Sequence, residues 1–272
     1  MKSLLLFVGA LIPGLGLVLL YMLYLIGVAV FRPRAVPAMP AGERSHGLAE
    51  LLPQVLKVLL PPLLLIVLVL GSILGGLATP TEAAGVGAVR ATFLTVANKK
   101  FSLKILREVM HSTMQLTCMV FIILVGAASF GLVFRGMGGD HLVREFLGGI
   151  AHHHGQWTVL FIVMGIIFVI GFFLDFIEIT FIHVPVLAPI MIEFGFDPAW
   201  FCILIAVNLQ TSFMTPPFGF SLFYLKAVTP PEISTGDIYR GIIPFVLFQL
   251  IGLLIVVMFP QLVTWLPSVV FR

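Results

Sequence analysis

Charge is what this 272-residue chain has least of: Asp, Glu, Lys and Arg make up 10% of it, against 60% hydrophobic residues and a mean hydropathy of +1.16. Soluble globular chains carry roughly a quarter charged residues, so water is excluded as the main solvent. Cysteine is equally scarce. Cys118 and Cys202 both sit in apolar segments where a thiol behaves as a small hydrophobe, and they make no metal-type spacing. A disulfide is not expected. Catalytic signatures are missing too: there is no HExxH, no GxSxG, no Walker-type loop and no GxGD stretch with a partner Tyr-Asp. Those absences remove the commoner hydrolase and protease chemistries, and energy from ATP would need another chain.

What is present is a succession of apolar runs near the ~20 residues that cross a bilayer. They cover 4–31, 58–77, 114–134, 157–174 and 242–259. A single cleaved leader cannot account for them, and the run after Met1-Lys2-Ser3 reads as a retained helix. Unpaired backbone groups are costly in hydrocarbon, so only helices and closed barrels span it, and these runs lack a barrel's alternation. The fold class expected is an all-α polytopic membrane protein. Basic residues mark its cytoplasmic side, which accounts for the net charge of +3 without a nucleic-acid partner. Arg32, Arg34, Arg44, Lys57, Lys99, Lys100, Lys104, Arg107, Lys226 and Arg240 fall inside, and Arg135 and Arg144 outside.

Along the chain, the sequence predicts a first span closed by Arg32-Pro33-Arg34, a polar stretch to Lys57, and a second span with Pro61-Pro62 in its first turn. Thr79 or Thr81 caps a returning helix, with Glu82 suited to its positive end. Residues 101–111 alternate apolar and charged positions as a helix lying on the membrane surface does. After the 114–134 crossing comes a loop over 135–156, holding a short helix at 142–150 and His152-His153-His154. Those consecutive histidines cannot converge on one metal ion, and they read as a solvated loop. Residues 157–192 read as a helical hairpin, 201–226 as a broken crossing and 242–259 as the final one. The divisions are then 1–56 (scaffold helix and loop), 57–113 (helix pair and surface helix), 114–236 (hairpin and broken helix) and 237–272 (last helix).

Two features could carry chemistry. In 208–219, Asn208, Gln210, Thr211, Ser212 and Thr215 stand with Pro216, Pro217 and Gly219 inside an apolar segment. The prolines free backbone carbonyls that need partners in hydrocarbon, and a Na⁺ ion, which prefers oxygen ligands, is such a partner. A proline kink satisfied by neighbouring helices or water is the structural alternative. The second feature is Asp175 and Glu178, carboxylates within an apolar stretch, which face a cavity, pair with a base, relay ions or sit at a wet loop tip. At i and i+3 they would share a helical face unless the hairpin turn intervenes. Arg135 either snorkels to the interface or pairs with Asp175. His183, alone among apolar neighbours, reads as a hydrogen-bonded core histidine, with a proton-linked group as the alternative. An intramembrane enzyme would rest on Asp175 and Glu178 alone.

Segments 76–88 (GLATPTEAAGVGA), 171–179 (GFFLDFIEI), 208–219 (NLQTSFMTPPFG) and 238–244 (IYRGIIP) resemble, in order and spacing, the large membrane (M) subunit of tripartite ATP-independent periplasmic (TRAP) transporters. The resemblance implies an elevator-type secondary transporter of the bacterial inner membrane, driven by Na⁺ and holding no cofactor. It also implies a small four-helix membrane subunit and a periplasmic substrate-binding protein as partners, with organic carboxylates such as dicarboxylates, 2-oxo acids or sialic acid as cargo. Carried onto this chain, the ion site falls on Thr211, Ser212, Thr215 and nearby backbone, with Asp175 in the hairpin and Arg135 as a further candidate. The family is built of two inverted repeats, and residues 7–14 (FVGALIPG) resemble the stretch that follows the first repeat's own broken helix. The expectation is therefore a C-terminal portion carrying the second repeat, from a split gene, a misassigned start or a truncation; the alternative is a half-subunit or non-transporting fragment that needs a separate N-terminal repeat.

Overall fold

Where a backbone has no water to bond, each segment must satisfy itself, and the described residues do so as helices joined by short turns. The computed structural model describes residues 2–33, 48–216, 219–230 and 232–271, and no strand occurs among them. Arg34 and Arg44 of the basic stretch, and Pro217 of the broken crossing, lie outside the described residues. Among the described residues, five helical stretches are long and apolar enough to cross a membrane: Leu4–Phe31, Val55–Leu74, Leu103–Gly136, Phe176–Glu193 and Thr235–Met258. The chain is a polytopic helical membrane protein.

It divides into two units, Met1–Val8 with Leu23–Gln115 and Gly9–Met22 with Leu116–Arg272. In the first unit, α2 (Leu48–Leu74) packs against α3 (Pro80–Ala97), with Gly87 close to the Val69 side chain. Their connection is set by local chemistry. Gly76 adopts a positive φ of 68°, Leu77 and Ala78 donate back to the Ser72 carbonyl, and Thr79 caps α3. The Thr79 amide donates to Glu82 Oε2 at 2.8 Å while the Glu82 amide donates to Thr79 Oγ1 at 3.4 Å, a reciprocal capping box.

The second unit is organised around α9 (Pro198–Met214), a helix buried along most of its surface, with Ala206 and Gln210 exposed. Asp197 caps it by accepting the Trp200 amide at 2.8 Å, and Pro198 opens it where a missing N–H costs nothing. Packed on it are α6 (Gln156–Ile170), α8 (Val184–Glu193), α10 (Phe220–Val228), α11 (Thr235–Met258) and α12 (Gln261–Val270). The Trp200 indole donates to the Val256 carbonyl of α11 at 2.9 Å. From α1 (Lys2–Phe31), Gly9 lies against Ile203 and the Val263 backbone, and Leu17 against Gly252. Small residues are what let helices approach this closely where no hydrophobic force separates protein from lipid. The amphipathic α5 (Gly139–His154) packs on α6, and its Arg144 pairs with Glu193 of α8 at 3.2 Å.

Several expected boundaries move. Helix α2 starts at Leu48, so Pro61 and Pro62 stand in its interior; the apolar spacing of Leu48, Leu51, Leu52 and Val55 extends the helix through a stretch that polarity alone marks as loop. The surface helix at 101–111 and the crossing at 114–134 are one helix, α4 (Leu103–Gly136), about 51 Å long at 1.5 Å per residue. Nothing between His111 and Met114 breaks it, and the Thr113 hydroxyl folds back onto the Val109 carbonyl at 2.8 Å. Helix α3, expected to cross back, carries Glu82 and Arg90 and falls short of the five in apolarity. The three histidines form the last turn of α5, not a loop, and the helix stops at Gly155 with φ 85°. Helix α11 begins at Thr235 because Ser234 and Asp237 form a second capping box. Helix α12 has no counterpart in the sequence reading.

Replacing Thr79 with Ala removes one half of the α3 capping box while leaving the helix interior untouched. Amide exchange at Glu82, followed by mass spectrometry in detergent, is expected to accelerate about fivefold, the effect of an ordinary cap deletion.

Candidate functional site, a broken helix beside a hairpin turn

Helix α9 ends where the sequence withdraws its donors. In a continuing helix the carbonyls of Ser212 and Phe213 would accept from residues 216 and 217, but both are proline. The chain turns extended at Thr215 (φ −102°, ψ 131°), and the Thr215 amide swings back to the Ser212 carbonyl at 3.1 Å. Buried Gly219 then passes over the end of the helix. A β-carbon there would lie 2.8 Å from the Phe213 carbonyl oxygen and 3.1 Å from that of Thr215, so glycine alone permits the approach. Helix α10 starts at Phe220, with Leu222 donating to the Gly219 carbonyl at 2.8 Å.

The polar side chains of this segment divide into two sets. Asn208 and Ser212 point at α6. Buried Asn208 donates Nδ2 to the Met164 carbonyl at 2.8 Å, and the Ser212 hydroxyl lies 3.1 Å from the Phe168 carbonyl and 3.2 Å from that of Asn208. The Phe168 bond has a local cause. At the end of α6 the Phe172 amide tightens onto Val169 at 3.2 Å, and Ser212 reaches the Phe168 carbonyl that the tightened turn passes over. Gly171 makes room for this, since a β-carbon there would come within 2.7 Å of Ser212 Cβ. Thr211 and Thr215 form the second set. Their hydroxyls donate to carbonyls of their own helix, Val207 at 3.0 Å and Thr211 at 2.8 Å, leaving the oxygen lone pairs uncommitted. Gln210 is exposed.

The hairpin turn lies alongside this end of α9, with the Phe176 and Phe213 rings 5.9 Å apart, edge to face. Half-buried Asp175 precedes the single turn α7 (Phe176–Glu178) and caps it, its Oδ1 accepting the Phe176 amide at 2.8 Å. It therefore does not share a helical face with Glu178, because the turn intervenes. A π-turn over Ile179–His183 leads into α8, so the second arm is bent where Pro185 and Pro189 enter it. His183 is not the hydrogen-bonded core histidine expected: its Nδ1 is buried without a partner among the described residues.

Arg135, in the last turn of α4, is exposed and donates Nε to the Gly131 carbonyl at 3.1 Å. Among the described residues it forms no ion pair with Asp175. It lines a cavity of about 430 Å³ with Ala127, Asp140, Arg144, Pro185 and Pro189. Among the described residues no cluster of His, Cys, Asp and Glu could hold a transition metal. The oxygen set at the break is hydroxyl and carbonyl, the ligand type that hard cations prefer. Sequence reasoning missed Gln249 and Tyr21. Gln249 is the lone polar residue of 245–258, and that isolation is the signal that could have found it. It is fully buried, accepts the Tyr21 hydroxyl at Oε1 and sits 3.4 Å from the Val207 carbonyl through Nε2.

A buried helix broken beside a hairpin turn in a polytopic helical membrane protein is an arrangement that solute transporters use around their sites. The family model described as "Tripartite ATP-independent periplasmic transporter, DctM component" matches residues 2–262, and the chain belongs to that family. The C4-dicarboxylate TRAP transporter large permease protein DctM of Pseudomonas aeruginosa is 31% identical, over 97% of this chain and 59% of the relative. The sialic acid TRAP transporter permease protein SiaT of Haemophilus influenzae is 28% identical, over 97% and 41%. The ectoine TRAP transporter large permease protein TeaC of Halomonas elongata is 28% identical, over 98% and 60%. The chain thus spans at most 60% of the length of these relatives. They are transporter subunits, not enzymes.

The Gly171 contact gives a paired test. Gly171→Ala is expected to destabilise by about 1–3 kcal/mol through overpacking against Ser212. Gly165→Ala, on the same helix where a β-carbon meets nothing within 4 Å, is expected to be stabilising by about 0.5–1 kcal/mol. Thermal unfolding of both variants in one detergent reads the difference in sign.

Proposed function

We propose that this chain supplies part of the large permease of a Na⁺-coupled TRAP transporter that imports an organic carboxylate across the bacterial inner membrane. It works with a small membrane subunit and a periplasmic binding protein that delivers the substrate. One observation carries the reading: Pro216 and Pro217 end a buried helix, and the hydroxyl oxygens of Thr211 and Thr215, which donate within that helix and keep their lone pairs, lie on the same stretch. A helix C-terminus carries roughly half a negative charge, so those oxygens offer Na⁺ a site that hydrocarbon otherwise denies it. The start of α10 has the opposite polarity and suits a substrate carboxylate. Asp175, at the neighbouring hairpin turn, supplies negative charge that an entering cation offsets.

Coupling follows from that arrangement. With the cation absent, the end of α9 is repulsive to an anionic substrate; with it bound, the local charge falls and the carboxylate can approach α10. Hairpin and broken helix would move as one body in an elevator step, since Ser212, Phe168 and Gly171 lock them together. C4-dicarboxylate and sialic acid, named for two of the relatives, are both carboxylates. The ectoine relative keeps that solute among those to be tested.

In proteoliposomes holding the assembled transporter with its binding protein, uptake of labelled succinate, N-acetylneuraminate and ectoine would be compared under Na⁺ and K⁺ gradients. Asp175→Ala and Thr215→Ala are each expected to abolish Na⁺-dependent uptake while membrane insertion stays normal. Normal uptake by both variants rejects the site, and uptake indifferent to Na⁺ rejects the coupling.

A further inference from the structure

Burying an amide side chain without partners costs several kcal/mol, so a fully buried glutamine in an otherwise apolar helix needs a reason to be there. Gln249 of α11 is wholly inaccessible and is flanked by apolar residues from Phe245 to Met258. Its two ends are used differently. Oε1 accepts the hydroxyl of Tyr21, which comes from α1, and Nε2 donates to the Val207 carbonyl of α9 over a long 3.4 Å. The Tyr21 hydroxyl also lies 4.0 Å from the sulfur of Met214, the last residue of α9. Its ring is fixed against Phe245, edge to face, with centroids 5.4 Å apart.

Taken together, the Tyr21–Gln249 pair lies along α9 and touches it at Val207 and at Met214, two helical turns apart. Thr211 falls midway between these points, and its hydroxyl shares the Val207 carbonyl with Gln249. The Thr211 carbonyl in turn takes the Thr215 hydroxyl at 2.8 Å. A hydrogen-bonded path therefore runs from α1 through α11 into the two threonines at the break. Hydroxyl back-bonding of this kind bends a helix, and the bend needs a fixed point to act against. Asn208 and Ser212 supply one on the α6 side.

We infer that Gln249 and Tyr21 are positioning residues for the coupling cation: by holding the last two turns of α9 they set the Thr211 and Thr215 oxygens for Na⁺ without touching the ion. This rests on the proposed Na⁺ reading and deepens it. Neither residue is a ligand in this scheme, so their loss weakens Na⁺ binding rather than eliminating it.

The test is Na⁺ alone. The thermal unfolding temperature of the purified transporter assembly is followed as KCl is replaced stepwise by NaCl at constant ionic strength. Gln249→Met keeps the volume and removes both hydrogen bonds, and Tyr21→Phe removes only the hydroxyl. The half-stabilising Na⁺ concentration is expected to rise about tenfold for Gln249→Met and about threefold for Tyr21→Phe. The double variant is expected to be no worse than Gln249→Met, because both act through one path. Should Gln249→Met fail to fold, Tyr21→Phe decides alone. A lower unfolding temperature in KCl with an unchanged Na⁺ response would make the pair mere packing and overturn the inference. Thr215→Ala separates the two levels: if it loses the Na⁺ response while Gln249→Met and Tyr21→Phe keep theirs, only the positioning role falls. If Thr215→Ala keeps the response as well, the Na⁺ site falls and the positioning role with it.

Discussion

Two adjacent prolines at the end of a buried helix govern the second unit of this protein. Pro216 and Pro217 remove the N–H groups that Ser212 and Phe213 would have met in a continuing helix, at a point where lipid offers no substitute. Much of the surrounding architecture answers that deficit. The Thr215 amide turns back to Ser212, Gly219 brings the chain across the Phe213 carbonyl, and the hydroxyls of Thr211 and Thr215 climb back along their own helix. A broken helix is tolerable only where protein or a polar cavity surrounds it, and α9 is the most thoroughly buried helix of the unit for that reason.

Packing around α9 cannot rely on the hydrophobic effect, because lipid tails are as apolar as leucine. Close approach and directed hydrogen bonds do the work instead. Gly9, Gly171, Gly219 and Gly252 each stand where a β-carbon would collide with a neighbour, and Trp200, Asn208, Ser212 and Gln249 each donate to a carbonyl of another helix. Every one of these donors reaches a carbonyl, so the polar side chains of the core serve the backbone more than one another. Among the described residues, helices α2 and α4 leave most of their apolar side chains exposed, as helices facing lipid or another subunit do.

What the sequence made legible was local. The break follows from two adjacent prolines, the Thr79–Glu82 capping box from a four-residue pattern, and the hairpin from two acids in an apolar run. The helix boundaries around α4, α5 and α11 were not legible, because polarity marks solvent exposure and not the end of a helix. Helix α12 was missed since its ten residues are too few for a crossing and follow Phe259-Pro260, which reads as a terminus. Asp175 shows a different failure. Its spacing to Glu178 suggests a shared face, but Asp caps helices at least as readily as it joins them, and here it stands before the first turn. Tyr21 and Gln249 are 228 residues apart, and no local pattern could pair them.

The 208–219 motif illustrates why residue type alone underdetermines role. Asn208, Thr211, Ser212 and Thr215 look equivalent as polar groups in an apolar helix, and all four could be read as ion ligands. Helical geometry separates them. Positions 208 and 212 lie on one stripe and meet the carbonyls of α6, whereas 211 and 215 lie on the adjacent stripe and bond only within α9. A hydroxyl that donates to a carbonyl keeps its lone pairs, so the second stripe retains acceptor capacity. The first stripe holds the helix in place. On the proposed Na⁺ reading a passing cation would need both: oxygens free to bind it weakly enough to leave, and a frame stiff enough that those oxygens do not collapse onto each other when it does.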